Sequence, residues 1–169
     1  AEAVDELNSL LEEENENPAH RNLKAAALGR IGGYDEALEL YGELTANFPT
    51  HAKIWMSYGH MLKTVGRQDE GIAAYRHALK NEPGLGEVWW SLANLKTVRF
   101  SDDDLSAMEK ALAEPEKLSN ADAYHLHFAL GKAYEDRQQA DISFTHYAKG
   151  NELRSTELDH DPDTISSYV

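Results

Sequence analysis

The chain has 169 residues and a formal net charge of -14, because 30 Asp and Glu residues outnumber 16 Lys and Arg residues. This acid excess argues against general binding to nucleic acid or to anionic membranes, since both require a positive field. The sequence contains no Cys, which excludes disulfide scaffolds, zinc fingers and Cys nucleophiles.

Membrane and secretion signals are not recognisable in the sequence. No segment approaches the run of about 18 apolar residues that a membrane-spanning helix needs. The first residues lack the basic and apolar regions of a signal peptide. We therefore expect a soluble, cytoplasmic protein with no membrane partner.

The first predicted element, residues 1–17, is the second helix of a truncated repeat. Ala3 and Leu7 lie 34 residues before Ala37 and Tyr41, and all four fit the apolar face of a helix. The first helix of that repeat is not in the sequence. We therefore expect the chain to be a piece of a longer array.

The same period of 34 residues organises most of the chain, because Trp55 recurs as Trp89 and Pro49 recurs as Pro83. Residues 52–85 resemble a tetratricopeptide repeat (TPR), a helix–turn–helix unit with the pattern W-x2-L-G-x2-Y, then A-x3-F, then P. At each position of the pattern, this sequence has a residue of the same size class as the pattern residue. These positions are Trp55, Tyr58, Gly59, Leu62, Gly71, Tyr75 and Pro83.

Three further units and a tail complete the prediction. The regions 18–51 and 124–153 are TPR units, and 86–123 is a divergent TPR with an insertion of four residues and Ser101 as a helix N-cap. Residues 154–169 are a C-terminal capping helix or a linker. The expected fold is all-α: a right-handed superhelical array of TPR helix–turn–helix repeats, or α-solenoid.

The resemblance to TPR arrays implies a concave groove lined mostly by the first helix of each unit, at positions 2, 5, 9 and 12. The first unit offers Ala19, Asn22, Ala26 and Gly29 there. The later units give the candidate peptide-binding residues Lys53, Met56, His60, Lys63, Trp90, Asn94, Phe128 and Lys132. Trp90 is the leading candidate, since Trp89 fills the core position and aromatic residues dominate recognition surfaces. Its alternative role is packing against the next repeat or against sequence outside this chain.

Charge is unevenly distributed along the sequence. Residues 1–17 sum to -7, whereas 52–100 sum to +3, from seven basic and four acidic residues. An acidic peptide is therefore one candidate partner for the middle of the chain. The alternative is that the acids are a solvated face that keeps the array soluble.

Patterns for chemistry are missing from the sequence. The eight His residues form no H-E-x-x-H or similar metal pattern, and no phosphate-binding loop or nucleophile–base pair occurs. We predict no catalytic residue, no cofactor and no metal site. The His residues are interpreted as scattered surface and groove side chains.

Four segments resemble the repeat region of bacterial TPR-containing sulfotransferases: HAKIWMSYGH (51–60), GEVWWSLANLKT (86–97), LHFALGK (126–132) and SFTHYAKGN (143–151). In that family the array precedes a catalytic domain that uses 3′-phosphoadenosine-5′-phosphosulfate. The family's Pro-Arg-Ser-Gly-Thr donor loop is absent, since none of the five prolines is followed by Arg. No catalytic residue can be carried over, so this chain itself is not expected to be an enzyme.

The primary hypothesis is a protein-interaction module that binds an extended peptide or a partner domain, such as an adjacent sulfotransferase domain. The alternative is a structural scaffold or dimerisation array with no ligand of its own. A clamp for chaperone C-terminal carboxylates is a weaker third hypothesis. The Lys and Asn set that such a clamp requires is not supplied by the corresponding positions, Asn22, Ala26 and Ser57.

Overall fold

The computed structural model describes residues 17–157, so all but the last residue of the helix predicted for 1–17, and the tail beyond 157, lie outside the described residues. The described chain is helical, with no strand among residues 17–157. It divides into two compact units between Glu82 and Pro83. None of its helices is long and apolar enough to cross a membrane.

The N-terminal unit contains four helices: α1 (Pro18–Arg30), α2 (Tyr34–Asn47), α3 (Ala52–Thr64) and α4 (Gln68–Asn81). The C-terminal unit contains α5 (Gly86–Asn94), α6 (Asp102–Leu112), a short 3-10 turn (Pro115–Lys117), α7 (Asn120–Asp136) and α8 (Ala140–Glu157). Residues 154–157, predicted as part of the tail, therefore continue the last helix.

Tight turns join the two helices of each pair in the N-terminal unit. Gly32 follows α1 with φ +88°, and Gly66 follows α3 with φ +82°. This left-handed backbone conformation is open to Gly because it has no Cβ atom. In the C-terminal unit the turn between α7 and α8 has the same conformation but uses Gln138, at φ +61°.

Close approach of paired helices depends on small residues in the first helix. A Cβ atom at Gly59 on α3 would lie 2.6 Å from the ring of Tyr75 on α4. A Cβ atom at Gly131 on α7 would lie 2.8 Å from the ring of Tyr147 on α8. The small and aromatic positions of the repeat pattern are therefore in direct contact.

The repeated Trp positions each anchor the start of a helix pair. The indole N–H of Trp55 donates a hydrogen bond to the Pro49 carbonyl oxygen, and that of Trp89 donates to the Pro83 carbonyl oxygen, both at 2.8 Å. Trp89 is buried and packs edge-on against Phe100. A buried indole N–H needs such a partner, and here the loop before the helix supplies it.

The third predicted unit packs differently from the first two. In the C-terminal unit α5 packs mainly against α7, and α6 also packs against α7. Ser101 caps α6 as predicted, with Asp104 completing a capping box through bonds of 3.2 and 3.0 Å. Arg137 of the segment after α7 pairs with Asp102, at the start of α6, at 2.6 Å.

Candidate functional site

A concavity of about 360 Å³ opens in the N-terminal unit, between α1, α2 and α3. It is lined by Ala26, Gly29, Arg30, Tyr41, Ser57, His60, Met61 and Thr64. Three of these residues, Ala26, Gly29 and His60, are at positions that the sequence pattern predicts to face the groove. We call this surface the α1–α3 concavity.

Polar groups of the α1–α3 concavity are supported by Tyr side chains from the second helices. Tyr41 of α2 is buried, which raises the pKa of its phenol, and a hydrogen bond with Ser57 opposes that rise. The Nδ1 atom of His60 lies 2.8 Å from the hydroxyl oxygen of Tyr75 on α4. The Ser57 and His60 side chains are thus held in place by partners beneath them.

The apolar part of the α1–α3 concavity is formed by Met61 and Gly29. A Cβ atom at Gly29 would lie only 2.0 Å from the terminal methyl group of Met61, so the Met61 side chain lies directly on the α1 backbone. Met is flexible and polarisable, and it adapts its shape to a bound side chain. This part of the surface is suited to an apolar side chain.

Cationic side chains lie at the rim of the α1–α3 concavity and elsewhere on the exposed surface of α3. Arg30 lines the concavity at the end of α1 and is exposed. Lys53 and Lys63 are exposed on α3. Within the part of the chain that the structure describes, none of these three cations forms an ion pair. Their charge is therefore available to an acidic ligand.

Met56, also predicted to face the groove, is half-buried on α3 and is not part of the lining. The lining of α3 instead follows a single helical stripe of Ser57, His60, Met61 and Thr64. The spacing i, i+3, i+4, i+7 of that stripe is visible in the sequence. Centring the stripe on His60 would have found Ser57, Met61 and Thr64.

The other four predicted groove residues lie in the C-terminal unit, on α5 and α7. Trp90 is half-buried, and its ring centroid lies 5.5 Å from that of Phe128. Asn94 is exposed one turn further along α5. Phe128 itself is buried, and a Cβ atom at Gly150 on α8 would lie 2.7 Å from its ring. Phe128 therefore packs between helices, and Trp90 supplies the accessible aromatic surface.

Lys132, the last predicted groove residue, is held in an ion-pair network. Its ammonium group bonds to Asp136, which also pairs with Arg99 at 2.5 Å, and Glu135 lies 3.9 Å away. Burial opposes ionisation of Asp136, but the hydrogen bonds from Lys132 and Arg99 outweigh it and lower the pKa of the carboxyl group. Two cations and two carboxylates meet here, so the local charge is balanced.

A metal site of three or more protein ligands is not found among the described residues. Within residues 17–157, no group of three or more His, Asp or Glu side chains is arranged to hold a metal ion.

The lining of the α1–α3 concavity offers a ligand hydrogen bonds, apolar contact and positive charge. That combination is typical of a recognition surface.

The architecture and the repeat pattern together define a TPR protein of the all-helical α-solenoid class. Residues 1–109 match the sequence model of a family described as the Psidin N-terminal TPR repeats region. The match covers more than half of the chain, and the chain belongs to this family. No curated protein matches the sequence.

Solved structures with the same fold include MamA proteins. One MamA crystal structure has a TM-score of 0.63 and 16% identity, and the match covers 93% of this chain and 90% of MamA. A MamA fragment from Desulfovibrio magneticus RS-1 has a TM-score of 0.57 and 18% identity, covering 92% and 85% of the two chains. BtubC (BKLC) from P. vanneervenii has a TM-score of 0.60 and 18% identity, covering 86% and 66%. At these identities the likeness defines the fold alone.

Proposed function

We propose that the chain is a protein-interaction module that binds an extended, acidic peptide segment in the α1–α3 concavity. The observation that carries this proposal is the lining itself. Ser57 and His60 present polar atoms beside the apolar Met61, and the exposed Arg30 lies at the rim. An extended peptide needs these three kinds of contact for its backbone, an apolar side chain and a carboxylate.

Charge supports an acidic ligand at this surface more than at the C-terminal unit. Arg30 and Lys63 have no ion-pair partner among the described residues, whereas Lys132 is paired with Asp136. The half-buried Trp90 and the exposed Asn94 form a second, separate candidate surface on α5. We assign no catalytic role and no cofactor to the chain.

The test is selection of peptides from a random library on the wild-type chain, followed by affinity measurements on two charge-reversal variants. Arg30→Glu changes the rim of the concavity. Lys80→Glu, on exposed α4 surface outside the lining, is the matched control. We expect Arg30→Glu to weaken acidic peptides by about ten-fold or more, since a charged contact contributes roughly 1.5–3 kcal/mol. Equal losses in both variants, or none in either, would refute the assignment.

A structural scaffold or dimerisation array is the second candidate. The observation that favours it is the exposure of Phe144 (74%) and Ile142 (43%) on α8. Such a highly exposed large apolar side chain fits a protein–protein contact. Light scattering should then show a dimer of this chain that Phe144→Ser dissociates, and a monomer at all concentrations would exclude it.

The parent protein is a separate proposal. The four segments that resemble TPR-containing sulfotransferases lie in or beside α3, α5, α7 and α8. We propose a cytoplasmic bacterial parent in which the array presents a protein substrate or packs on a transferase domain. The gene sequence downstream of Val169 tests this: a donor-binding loop is expected there, and its absence would refute the proposal.

A further inference from the structure

Two imidazole rings meet in the C-terminal unit, outside the α1–α3 concavity. The Nδ1 atom of His127 on α7 lies 3.0 Å from the Nδ1 atom of His146 on α8. The ring centroids are 5.2 Å apart, and the planes are inclined by 41°. Both rings are half-buried, so part of the pair is accessible to solvent.

Neighbouring side chains hold His146 in position. The ring of Tyr134 stacks on it with centroids 5.6 Å apart and planes within 10°. The Tyr134 hydroxyl donates a hydrogen bond of 2.5 Å to Glu109 on α6. Side chains of α6 and α7 therefore pack around the His146 ring of α8.

The charges around the pair come from α6 and α8. The carboxylate of Glu109 favours positive charge at His146, and Lys149 opposes it at His127. Lys149 is itself paired with Glu152 at 2.8 Å, which offsets its charge. A small cation therefore meets no uncompensated repulsion at this position.

The contact between the two Nδ1 atoms requires at least one neutral ring, because a protonated imidazole has no acceptor nitrogen. Burial lowers the pKa of His146, and burial together with the neighbouring His146 and Lys149 lowers the pKa of His127 to about 4. An Nδ1–Nδ1 separation of 3.0 Å fits one hydrogen shared between the two Nδ1 atoms. Neutral imidazole, with a lone pair on nitrogen, is the form of His that binds a metal.

We propose that His127 and His146 form a two-imidazole site for a divalent transition metal, which takes the place of the shared proton. With metal–nitrogen bonds of about 2.05 Å, the observed Nδ1 separation corresponds to an N–metal–N angle of about 94°. This is close to the angle of about 90° in tetragonal Cu²⁺ and Ni²⁺ sites, and Cu²⁺ binds most tightly in the general order of affinities. Waters complete the coordination.

The exchange balances without loss of a proton to solution. Before binding, one ring carries its hydrogen on Nδ1 and the other carries it on Nε2. The donor ring changes tautomer, so that its hydrogen moves from Nδ1 to Nε2, and both Nδ1 lone pairs become available. A turn of the rings about their Cβ–Cγ bonds then directs both lone pairs to one point.

The test titrates the whole chain with Cu²⁺ at pH 7.5 by calorimetry, with electron paramagnetic resonance on the same samples. His127→Asn and His146→Asn each remove one ligand nitrogen. His51→Gln, at the exposed start of α3 in the other unit, is the control. We expect one Cu²⁺ per chain, bound about ten-fold or more tightly than in either Asn variant, with hyperfine splitting from two nitrogens and no change in the control.

Equal Cu²⁺ affinity in the wild type and the Asn variants, or hyperfine splitting from a single nitrogen, would overturn the proposal. The two His residues would then form a hydrogen bond and no metal site. A second measurement needs no variant that could fail to fold. Because the site links α7 to α8, Cu²⁺ should raise the melting temperature of the wild-type chain, by an amount that increases with the free Cu²⁺ concentration. A melting temperature that does not change at saturating Cu²⁺ also overturns the proposal.

Discussion

The imidazole of His60 and the phenol of Tyr75 join the proposed binding surface to the core of the N-terminal unit. Their rings meet edge to face with centroids 5.4 Å apart, and His60 Nδ1 lies 2.8 Å from the Tyr75 oxygen. Tyr75 is fully buried, while His60 lines the α1–α3 concavity. The orientation of a surface residue on α3 is therefore set by a core residue on α4.

Removing the Tyr75 hydroxyl should weaken both stability and binding. Tyr75→Phe keeps the ring but leaves His60 Nδ1 without this contact, at a cost of about 0.5–1.5 kcal/mol in unfolding free energy. Urea unfolding measures the cost, and peptide affinity measures the loss of orientation. Tyr34→Phe is the control because Tyr34 is exposed. Unchanged stability and affinity in Tyr75→Phe would contradict the role of the hydroxyl.

Gly59→Ala should destabilise the chain, although Ala is the better helix former. The new Cβ atom would lie 2.6 Å from two ring atoms of Tyr75, which is buried and cannot move freely. We expect a loss of about 1–3 kcal/mol, typical of an overpacked core. Gly42→Ala on α2 is the matched control, with no atom within 4 Å. The unfolding free energy of this control should increase by up to about 1 kcal/mol from helix propensity. Urea unfolding measures the change in both variants.

The turn between α7 and α8 should become more stable with glycine. Gln138 has φ +61°, a conformation that costs a residue with a Cβ atom about 1 kcal/mol. Gln138→Gly should therefore raise the melting temperature, partly offset by the greater entropy of the unfolded chain. Gly66 has φ +82° and open space around it. Gly66→Ala should therefore lower the melting temperature, because it places a Cβ atom in the same left-handed conformation. Shifts of the same sign in the two variants would contradict this explanation.

Acidification should destabilise the folded chain through His127. Its pKa in the folded state is lowered to about 4, against the usual value of 6.5, so the folded state binds fewer protons. This stabilisation is complete above pH 6.5 and is lost as the pH falls towards 4. After allowance for the half-exposed ring, we expect a loss on the order of 1–2 kcal/mol.

The measurement is urea unfolding at pH 7 and at pH 4.5, in a chelator so that no metal contributes. His127→Asn should be less sensitive to pH than the wild type, since it removes the group that takes up the proton on unfolding. An identical dependence on pH in the two proteins would show that other groups account for the acid sensitivity.

Local rules determined much of the architecture from the sequence alone. The period of 34 residues, the recurrence of Trp55 as Trp89 and the glycines Gly32 and Gly66 predicted helix pairs and their turns. These features depend on helix periodicity and on backbone conformation, which act between near neighbours in the chain. Ser101, followed directly by three Asp residues, predicted a capped helix start for the same reason.

Only the tertiary structure decided which of the predicted residues are available to a ligand. Phe128 is buried against Gly150, and Asp136, which holds Lys132, is also paired with Arg99 from a different segment. His127 and His146 lie 19 residues apart, yet their Nδ1 atoms touch. Such contacts depend on how two helices are packed, and a small rotation of either helix would move these side chains apart. The order of residues along the chain does not set that rotation, because it results from the fit of many side chains at once.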